Sequence, residues 1–531
     1  MSSSISQAVR ELAEPKLAEF TAKLIPTVDP ERILGVRMPA LRKLAKKLLR
    51  EHPQEVTEFK AAVPHDFQEE DLLHVLLLNE ERDFATWHAE ITDFLPYMTN
   101  WTLTDAVSPA CVKGRNAASL SQLERACLNW VVDDRVYVQR LGVVVLMSLL
   151  STESFSPEHL RKEYEYNGID TCAVDGMCQT RCPVNINTGN LIRRLRSENQ
   201  DKLAATGWKV AAQQWGVMDK VADKALTVAQ KLPFPVVHGT TNIARKVMGD
   251  DTVPSYKKGL PVGGPARKPH KDATAEIVFF PACVNSMFGG VDGDGKHDPV
   301  NATQAFIRLC ERAGVKYRIP DNIGEMCCAT PWKSKGFTDG YSIMSDRVLK
   351  SLWEATDGGR LPVVCDASSC TEGLEVMREK VNKALEHKIV NGLKPGEPDF
   401  SRLRMYDAVQ FAADNMLDKL TVSAPLPSIA LHPTCSMTHL GTQPAFEKIA
   451  NAMSADVYVP KHWGCCGYAG DRGMLHPELT ASATEAEAAE LSEQKEFAAY
   501  ISANRTCEQG MTEATGHSYQ NVLQLLERTT R

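Results

Sequence analysis

Thirteen of the fifteen cysteines fall between Cys172 and Cys507, and their spacing is the first chemistry the sequence offers. The segment Cys172-Ala-Val-Asp175-Gly-Met-Cys178-Gln-Thr-Arg-Cys182-Pro183 keeps a C-x2-C-x2-C-x3-C-P spacing, with Asp175 at the second cysteine position. Tight turns at that spacing let several thiolates converge on one iron–sulfur cluster, and a terminal Cys-Pro leaves the loop to serve a second cluster. An aspartate there can be an oxygen ligand to iron or can leave one corner open. The alternatives are free cysteines in a loop, or zinc, whose sites usually pair C-x2-C with a distant partner pair.

Two further sets repeat one another. Phe280-Pro-Ala-Cys283 matches His432-Pro-Thr-Cys435, and each cysteine is followed six residues later by a glycine, Gly289 or Gly441. Cys327-Cys328 matches Cys465-Cys466, and Cys370 with Gly373 matches Cys507 with Gly510. The separations Cys328 to Cys370 and Cys466 to Cys507 are 42 and 41 positions, so the landmarks recur in order about 150 residues apart. Adjacent cysteines pack poorly and make poor disulfides, but two neighbouring thiolates suit a metal cluster. Gly467 relaxes the turn after the second pair, where the first copy has Ala329. Cys365 has no cysteine counterpart in the second copy and ranks below Cys370. Cys310 sits in a helical pattern and reads as core. His432, His439 and His462 lie near cysteines, and each reads as structural before it reads as a ligand.

These residues need elements to position them. The chain of 531 residues is 43 % hydrophobic and 24 % charged, the composition of a globular protein that can build full cores without disulfide staples. Its formal charge of −7 gives no global basic field for nucleic acid. Met1 to Arg10 is polar, without the apolar stretch of a secretory leader, and Leu141 to Leu150 is about half a membrane span. A reducing, cytoplasmic compartment is expected, with peripheral placement at the inner face of a membrane as an option. Residues 1–160 read as all-helical: Leu41, Leu44, Ala45, Leu48 and Leu49 recur at helical spacing between Arg42, Lys43, Lys46, Lys47 and Arg50. Leu72 to Leu77 is a second apolar stretch, and 121–150 gives two helical segments broken near Asp133-Asp134. A polar bridge over 151–167 leads to the first cysteine cluster, and helical text runs from Thr188 to about Met248. The Pro/Gly/Lys-rich run 249–275 reads as a connector. Beyond it, apolar strands such as Ile277–Phe280 and Leu361–Val364 alternate with helices such as 302–313 and 341–353, the pattern of an α/β domain.

The segment 164–531, about 70 % of the chain, resembles the C-terminal iron–sulfur half of FAD-linked, quinone- or cytochrome-dependent D-lactate dehydrogenases and the glycolate oxidase iron–sulfur subunits. The resemblance is carried by Tyr164-Glu-Tyr-Asn-Gly-Ile-Asp-Thr-Cys172, Asp175-Gly-Met-Cys178, Cys182-Pro-Val-Asn-Ile-Asn-Thr-Gly189 and the paired cysteine-rich copies. It implies that Asp175 belongs to the family pattern. It implies 4Fe-4S clusters that pass electrons from a flavin oxidising a 2-hydroxy acid to a quinone or cytochrome acceptor at the membrane. In that family a flavin half and a first cysteine run come before this segment, and neither is found before Cys172. FAD is therefore expected only on a partner, an FAD-binding dehydrogenase subunit. Without the companion run, Cys182 lacks its cluster, and Cys172 and Cys178 lack their fourth ligand.

Residues 1–160 are similar to a different family, the helical-repeat DNA alkylation-repair glycosylases. The matching text is Ile33-Leu-Gly-Val-Arg37-Met-Pro39-Ala-Leu-Arg42, then Asn100-Trp101-Thr-Leu-Thr-Asp105, then Tyr137-Val-Gln-Arg140-Leu-Gly, and it breaks off after Phe155–Leu160. The resemblance places Trp101 and Asp105 on a DNA-facing surface as catalytic residues and gives Arg140 a phosphate contact. A carboxylate can stabilise an oxocarbenium-like sugar while an alkylated purine leaves. Core packing for Trp101 and a helix cap for Asp105 are the competing readings. Residues 1–150 carry 17 Lys/Arg against 21 Asp/Glu, so the basic patch Arg37–Arg50 is local.

The sequence therefore predicts a multidomain chain. An all-α helical repeat (1–160, truncated) precedes a ferredoxin-like helical iron–sulfur domain (164–250) and two repeated α/β cysteine-rich domains (276–400 and 401–531). The expected metal ligands are Cys172, Asp175, Cys178 and Cys182, then Cys283, Cys327, Cys328 and Cys370, then Cys435, Cys465, Cys466 and Cys507. The expected activity is iron–sulfur electron transfer in a D-lactate- or glycolate-type oxidation. The alternative is DNA repair, or DNA binding, through the N-terminal module.

Overall fold

The computed structural model describes residues 4–112, 117–149, 164–182, 185–248, 253–257, 259–389 and 398–531. The chain divides into two compact units, 1–163 and 164–531. Most of the sequence's polar bridge, 151–163, lies outside the described residues, as does the Phe155–Leu160 text.

The first unit is all-helical over its described residues. Helix starts are set by prolines at the first turn (Pro15, Pro39, Pro53) and by side-chain caps, Asp83 accepting from the Thr86 N–H and Asn100 from the Thr102 N–H. Helix Met38–Glu51 turns Leu41, Ala45 and Leu48 inward, and Arg42, Lys43, Lys46 and Lys47 stay in water. Helix Gln68–Leu78 is buried along its whole length. Its Glu69 carboxylate holds the turn before Met38 by accepting from the Leu34, Gly35 and Val36 N–H groups. Helices Ala117–Val131 and Val136–Leu149 close the unit, with the break at Asp133-Asp134 that the sequence shows.

The second unit opens with a short π-helix, Glu165–Asp170, and helices 177–181, 188–198, 202–213, 215–229 and 234–248. Two four-stranded sheets follow. The strands are β1 (Ile277–Phe280), β2 (Gly290–Val291), β3 (His297–Asp298), β4 (Tyr317–Arg318), β5 (Val363–Cys365), β6 (Met405–Asp407), β7 (Ile429–Leu431), β8 (Val457–Tyr458), β9 (Ala499–Ser502) and β10 (Tyr519–Asn521). The first sheet runs β4-β1-β5-β6 and the second β8-β7-β9-β10, every neighbour parallel. The order is the same in both, so the cysteine repeat is a repeat of fold. Strands such as β1 and β7 are buried on both faces, as parallel strands covered by helices must be. Among the described residues, the β2–β3 hairpin of the first copy has no counterpart in the second.

The two copies interlock. The last helix of the second copy, Val522–Thr529, packs on the first copy's helix Ala302–Ala313, while the first copy's Ala408–Asn415 packs on the second copy's Gln443–Met453. One continuous core runs through both sheets. The sequence places the boundary between copies at 400/401, and the structure moves it: β6 at 405–407 pairs with β5, so the first copy continues through its helix Ala408–Asn415. The sequence hides this because a three-residue strand carries almost no periodicity of its own.

The connector reading of 249–275 also changes over its described part. Leu260 is buried against Cys466, Tyr468, Met474 and Cys507, and the Arg267 side chain is only 2 % exposed. Among the described residues, no helix is long and apolar enough to cross a membrane.

Candidate metal centres

Parallel sheets collect functional groups at the carboxyl ends of their strands, and both cysteine quartets lie there. Cys283 opens the short helix that leaves β1, and Cys435 opens the one that leaves β7. Cys370 and Cys507 lie near the starts of the helices after β5 and β9. The Cys-Cys pairs sit on loops that turn through a left-handed residue, Ala329 at φ +61° and Gly467 at φ +67°. Gly467 is the better residue for that turn: a Cβ there would meet the Leu479 carbonyl oxygen and the Ala483 side chain at 3.0 Å.

The thiols are close. Cys283 Sγ lies 3.6 Å from Cys327 Sγ, and Cys466 Sγ lies 3.3 Å from Cys507 Sγ. Backbone and hydroxyl groups surround them, with the Gly467 N–H donating to Cys465 and Thr330 Oγ1 lying 3.3 Å from Cys328. In each copy the second cysteine of the pair is held well below the ordinary thiol range: Cys328 by hydrogen bonds from Cys327 and then Cys370, Cys466 by those from Cys465 and then Cys507. The lowering falls on the same thiol in both copies and favours the thiolate, the form that binds metal.

Three side chains that the sequence ranked low or read as linker enter the sites. Cys365 ends β5, is 1 % exposed and hydrogen-bonds Cys370, so the first copy gathers five sulfurs. His432 is fully buried, with Nδ1 held by Glu487 at 2.9 and 3.0 Å. Its ring forms a tight group with Cys466 and Cys507, in which the three ligand atoms lie within 4.8 Å of one another. Burial opposes a charge on His432, but Glu487 and the Cys466 sulfur outweigh it and hold the pKa up at about 10. A metal at this ring must displace that proton. Arg267 is the third. It donates to Asp219 at 2.9 Å and to the carbonyls of Pro281 at 3.3 Å and Met326 at 2.9 Å, next to Cys283 and Cys327. Burial disfavours its charge, and Cys283, Asp219 and Cys327 outweigh that. The Pro-Thr-Cys context hinted at His432; nothing in the text around Arg267 separates it from a solvated linker.

The run at 172–182 is arranged differently. Cys172 Sγ accepts from the Val174 N–H at 3.4 Å, and Cys178 Sγ accepts from the Thr188 hydroxyl at 3.1 Å. Asp175 Oδ1 accepts from the Met177 N–H at 3.1 Å, two residues on, and the Asp175 carbonyl accepts from His439 Nε2 at 2.7 Å. Cys182 ends helix Met177–Arg181, half-buried. Among the described residues, the only ligand-type group as tight as a single ion requires is His432, Cys466 and Cys507. Arg196 ties the loop down by donating to the Cys172 and Ser334 carbonyls. His462 is taken up by Glu490, and Cys310 is core.

In the first unit, Trp101 begins a short helix that ends at Asp105. Trp101 is 36 % exposed, outside the buried core, and its indole N–H donates to the Leu24 carbonyl at 3.1 Å. Arg140 grips Asp105 through two parallel hydrogen bonds of 3.0 and 2.8 Å, and both side chains remain partly open to water.

Comparison with known proteins finds a match in each unit. Residues 5–164 match the DNA alkylation repair enzyme family, and residues 429–512, which hold the second quartet, match the cysteine-rich domain family. The chain is similar to lactate utilization protein A of Oceanobacillus iheyensis, 24 % identical over 230 residues, 41 % of this chain and 82 % of that protein. The chain thus joins a DNA-alkylation-repair-type helical module to a cysteine-rich module.

Proposed function

We propose that residues 164–531 are the iron–sulfur component of a lactate- or glycolate-oxidising system, taking electrons from an FAD-binding dehydrogenase subunit and delivering them to a quinone or cytochrome. The observation that carries this reading is the duplication of one thiol constellation, the buried Cys283, Cys327, Cys328 and Cys370 in one sheet and Cys435, Cys465, Cys466 and Cys507, the first two half-buried, in another of the same order. The similarity to a lactate utilization protein favours the substrate class. The donor set fits: soft thiolates select iron–sulfur clusters or zinc, and adjacent cysteines favour several metal atoms over one. Clusters of the 4Fe-4S type at these sites would supply one-electron chemistry. The chain's own residues hold the thiolates, exclude water with the core behind them, and set the local charge through Arg267 and Glu487. In the run at 172–182, Cys172, Asp175, Cys178 and Cys182 are assigned a weaker part, since the Asp175 carboxylate already accepts from the Met177 N–H.

Anaerobic purification followed by iron, sulfide and EPR measurement tests the reading. Stoichiometric iron and sulfide with a reducible EPR signal are expected. A colourless chain holding stoichiometric zinc would overturn it.

A second reading rests on the exposed Trp101, Asp105 and Arg140 group and the family match of 5–164. It assigns the first unit DNA repair or DNA binding. Arg140 neutralises Asp105 in the free protein, and a DNA phosphate that engages Arg140 would release the carboxylate toward a sugar. Asp105→Asn is then expected to cut 7-methylguanine release from alkylated DNA by about a hundredfold or more. Arg140→Ala is expected to weaken DNA binding at every sequence and lower the salt slope by about one. Wild-type protein that neither releases the base nor binds DNA in a salt-dependent way removes this reading.

A further inference from the structure

We propose that His432 Nε2 is a ligand of the metal centre in the second cysteine-rich copy, so that the chain carries two chemically different centres. One is held by thiolates and an imidazole; the other is held by thiolates alone, with Cys365 among its sulfurs. The inference rests on the iron–sulfur reading above and assigns residues to it that the quartets do not contain.

Sheet register gives the equivalences. Phe280 pairs with Cys365 at the end of β1 and β5. Leu431 pairs with Ile501 in the second sheet, which sets His432 opposite Ser502. Each of the paired cysteines, Cys370 and Cys507, follows five residues after its strand-end partner. The first copy therefore has phenylalanine and cysteine where the second has histidine and serine. Each site receives one extra donor beyond its four cysteines, from opposite strands: sulfur on β5 in the first, nitrogen just past β7 in the second.

The His432 ring is positioned as a ligand is. A histidine buried only for packing finds partners for both nitrogens. Here Nδ1 is held by the buried carboxylate of Glu487, while Nε2 meets no nitrogen or oxygen and is left to the sulfur of Cys466, itself one of the expected metal ligands, with Cys507 beside it. A carboxylate fixing one ring nitrogen while the other meets the metal is the usual arrangement around metal-bound histidine. Ser502 does not compete for the site, because its hydroxyl donates to the His432 carbonyl at 3.0 Å. The two neighbouring histidines are engaged elsewhere, His439 with the Asp175 carbonyl and His462 with Glu490. A neutral imidazole in place of a thiolate leaves a centre less negative and easier to reduce. The second centre is expected to have the higher midpoint potential.

The test uses the full chain, reconstituted anaerobically with ferrous iron and sulfide, with both quantified first. Pulsed EPR of the reduced protein should show the strong coupling of a directly bound nitrogen, and its isotope pattern should change when the protein is made with 15N-histidine. In His432→Phe, which installs the first copy's residue, that coupling should vanish while most of the iron is retained. In His432→Cys the higher of the two midpoint potentials should fall. An iron-loaded wild-type chain without histidine coupling overturns the proposal, as does coupling that survives in His432→Phe. The isotope experiment on wild type decides the matter even if a variant fails to fold. A chain that takes up no iron would instead overturn the iron–sulfur reading, and the metal analysis shows that before any coupling is sought.

Discussion

Replacing Cys466 by serine is expected to remove about half of the iron that the cysteine-rich copies bind, and replacing Cys328 and Cys466 together is expected to remove nearly all of it. These two thiols occupy the same place in their copies, the second cysteine of the pair, directly before a shared left-handed residue, and both are held well below the ordinary thiol range by their cysteine neighbours. Serine keeps the volume and loses the thiolate. Each site lies within its own sheet, so one substitution should leave the other centre intact. Iron and sulfide per chain, measured on the two single variants and the double, check this. Equal iron in Cys466→Ser and wild type would show that the second quartet is not a metal site. The centres should also support the fold. Buried cysteines that converge without a metal repel as they ionise, and binding energy at such a site becomes folding energy. Chelation is accordingly expected to lower the melting temperature of the cysteine-rich unit.

Replacing Asp219 by alanine should cost about 3–5 kcal/mol, because it leaves the guanidinium of Arg267 charged and unpaired in the interior. The two side chains are 2 % and 9 % exposed and 2.9 Å apart. Asp219 also accepts from the Ser286 hydroxyl at 2.8 Å, which keeps the Cys283 carbonyl, also at 2.8 Å, as an acceptor when the carboxylate is removed. The pair fastens three pieces of chain together: the helix Trp215–Ala229, the segment through Arg267, and the loops carrying Cys283 and Cys327, whose neighbours Pro281 and Met326 accept from the same guanidinium. Hydrogen exchange of the full chain provides the measurement. Protection should fall over 215–229 and 277–287 in Asp219→Ala and stay unchanged in the first unit. Arg267→Met strands the Asp219 carboxylate in turn, so the double replacement Asp219→Ala with Arg267→Met, which removes both charges, should be milder than Asp219→Ala alone. A double variant as costly as Asp219→Ala would mean that loss of the ion pair, and not the stranded charge, dominates.

The division of the chain near residue 160 is legible because the text on either side resembles a different family, and the passage into the α/β region beyond 275 is legible because it marks a change of period. Leu41, Ala45 and Leu48 recur at helical spacing, while Ile277–Phe280 is a continuous apolar run with turn residues on either side. The repeat is legible for a similar reason, since cysteine pairs are rare and their order survives divergence. The boundary between copies is not legible, because β6 is three residues long and is recognised only by its pairing with β5. The run through Arg267 misleads because Gly, Pro and Lys dominate its composition, and one buried arginine cannot alter that average.

By itself the sequence determined the helical first unit, the paired cysteine sets and the α/β alternation that carries them, all of which are encoded in spacing along the chain. Tertiary structure alone decided which side chains share a site. Glu487 reaches His432 from 55 positions away, Arg267 reaches across to Asp219, and Cys365 joins its quartet from the end of a strand. The reason lies in the parallel sheet. Its crossovers bring the carboxyl ends of strands dozens of residues apart to one edge, and partners there are chosen by register and burial, neither of which leaves a period in the sequence.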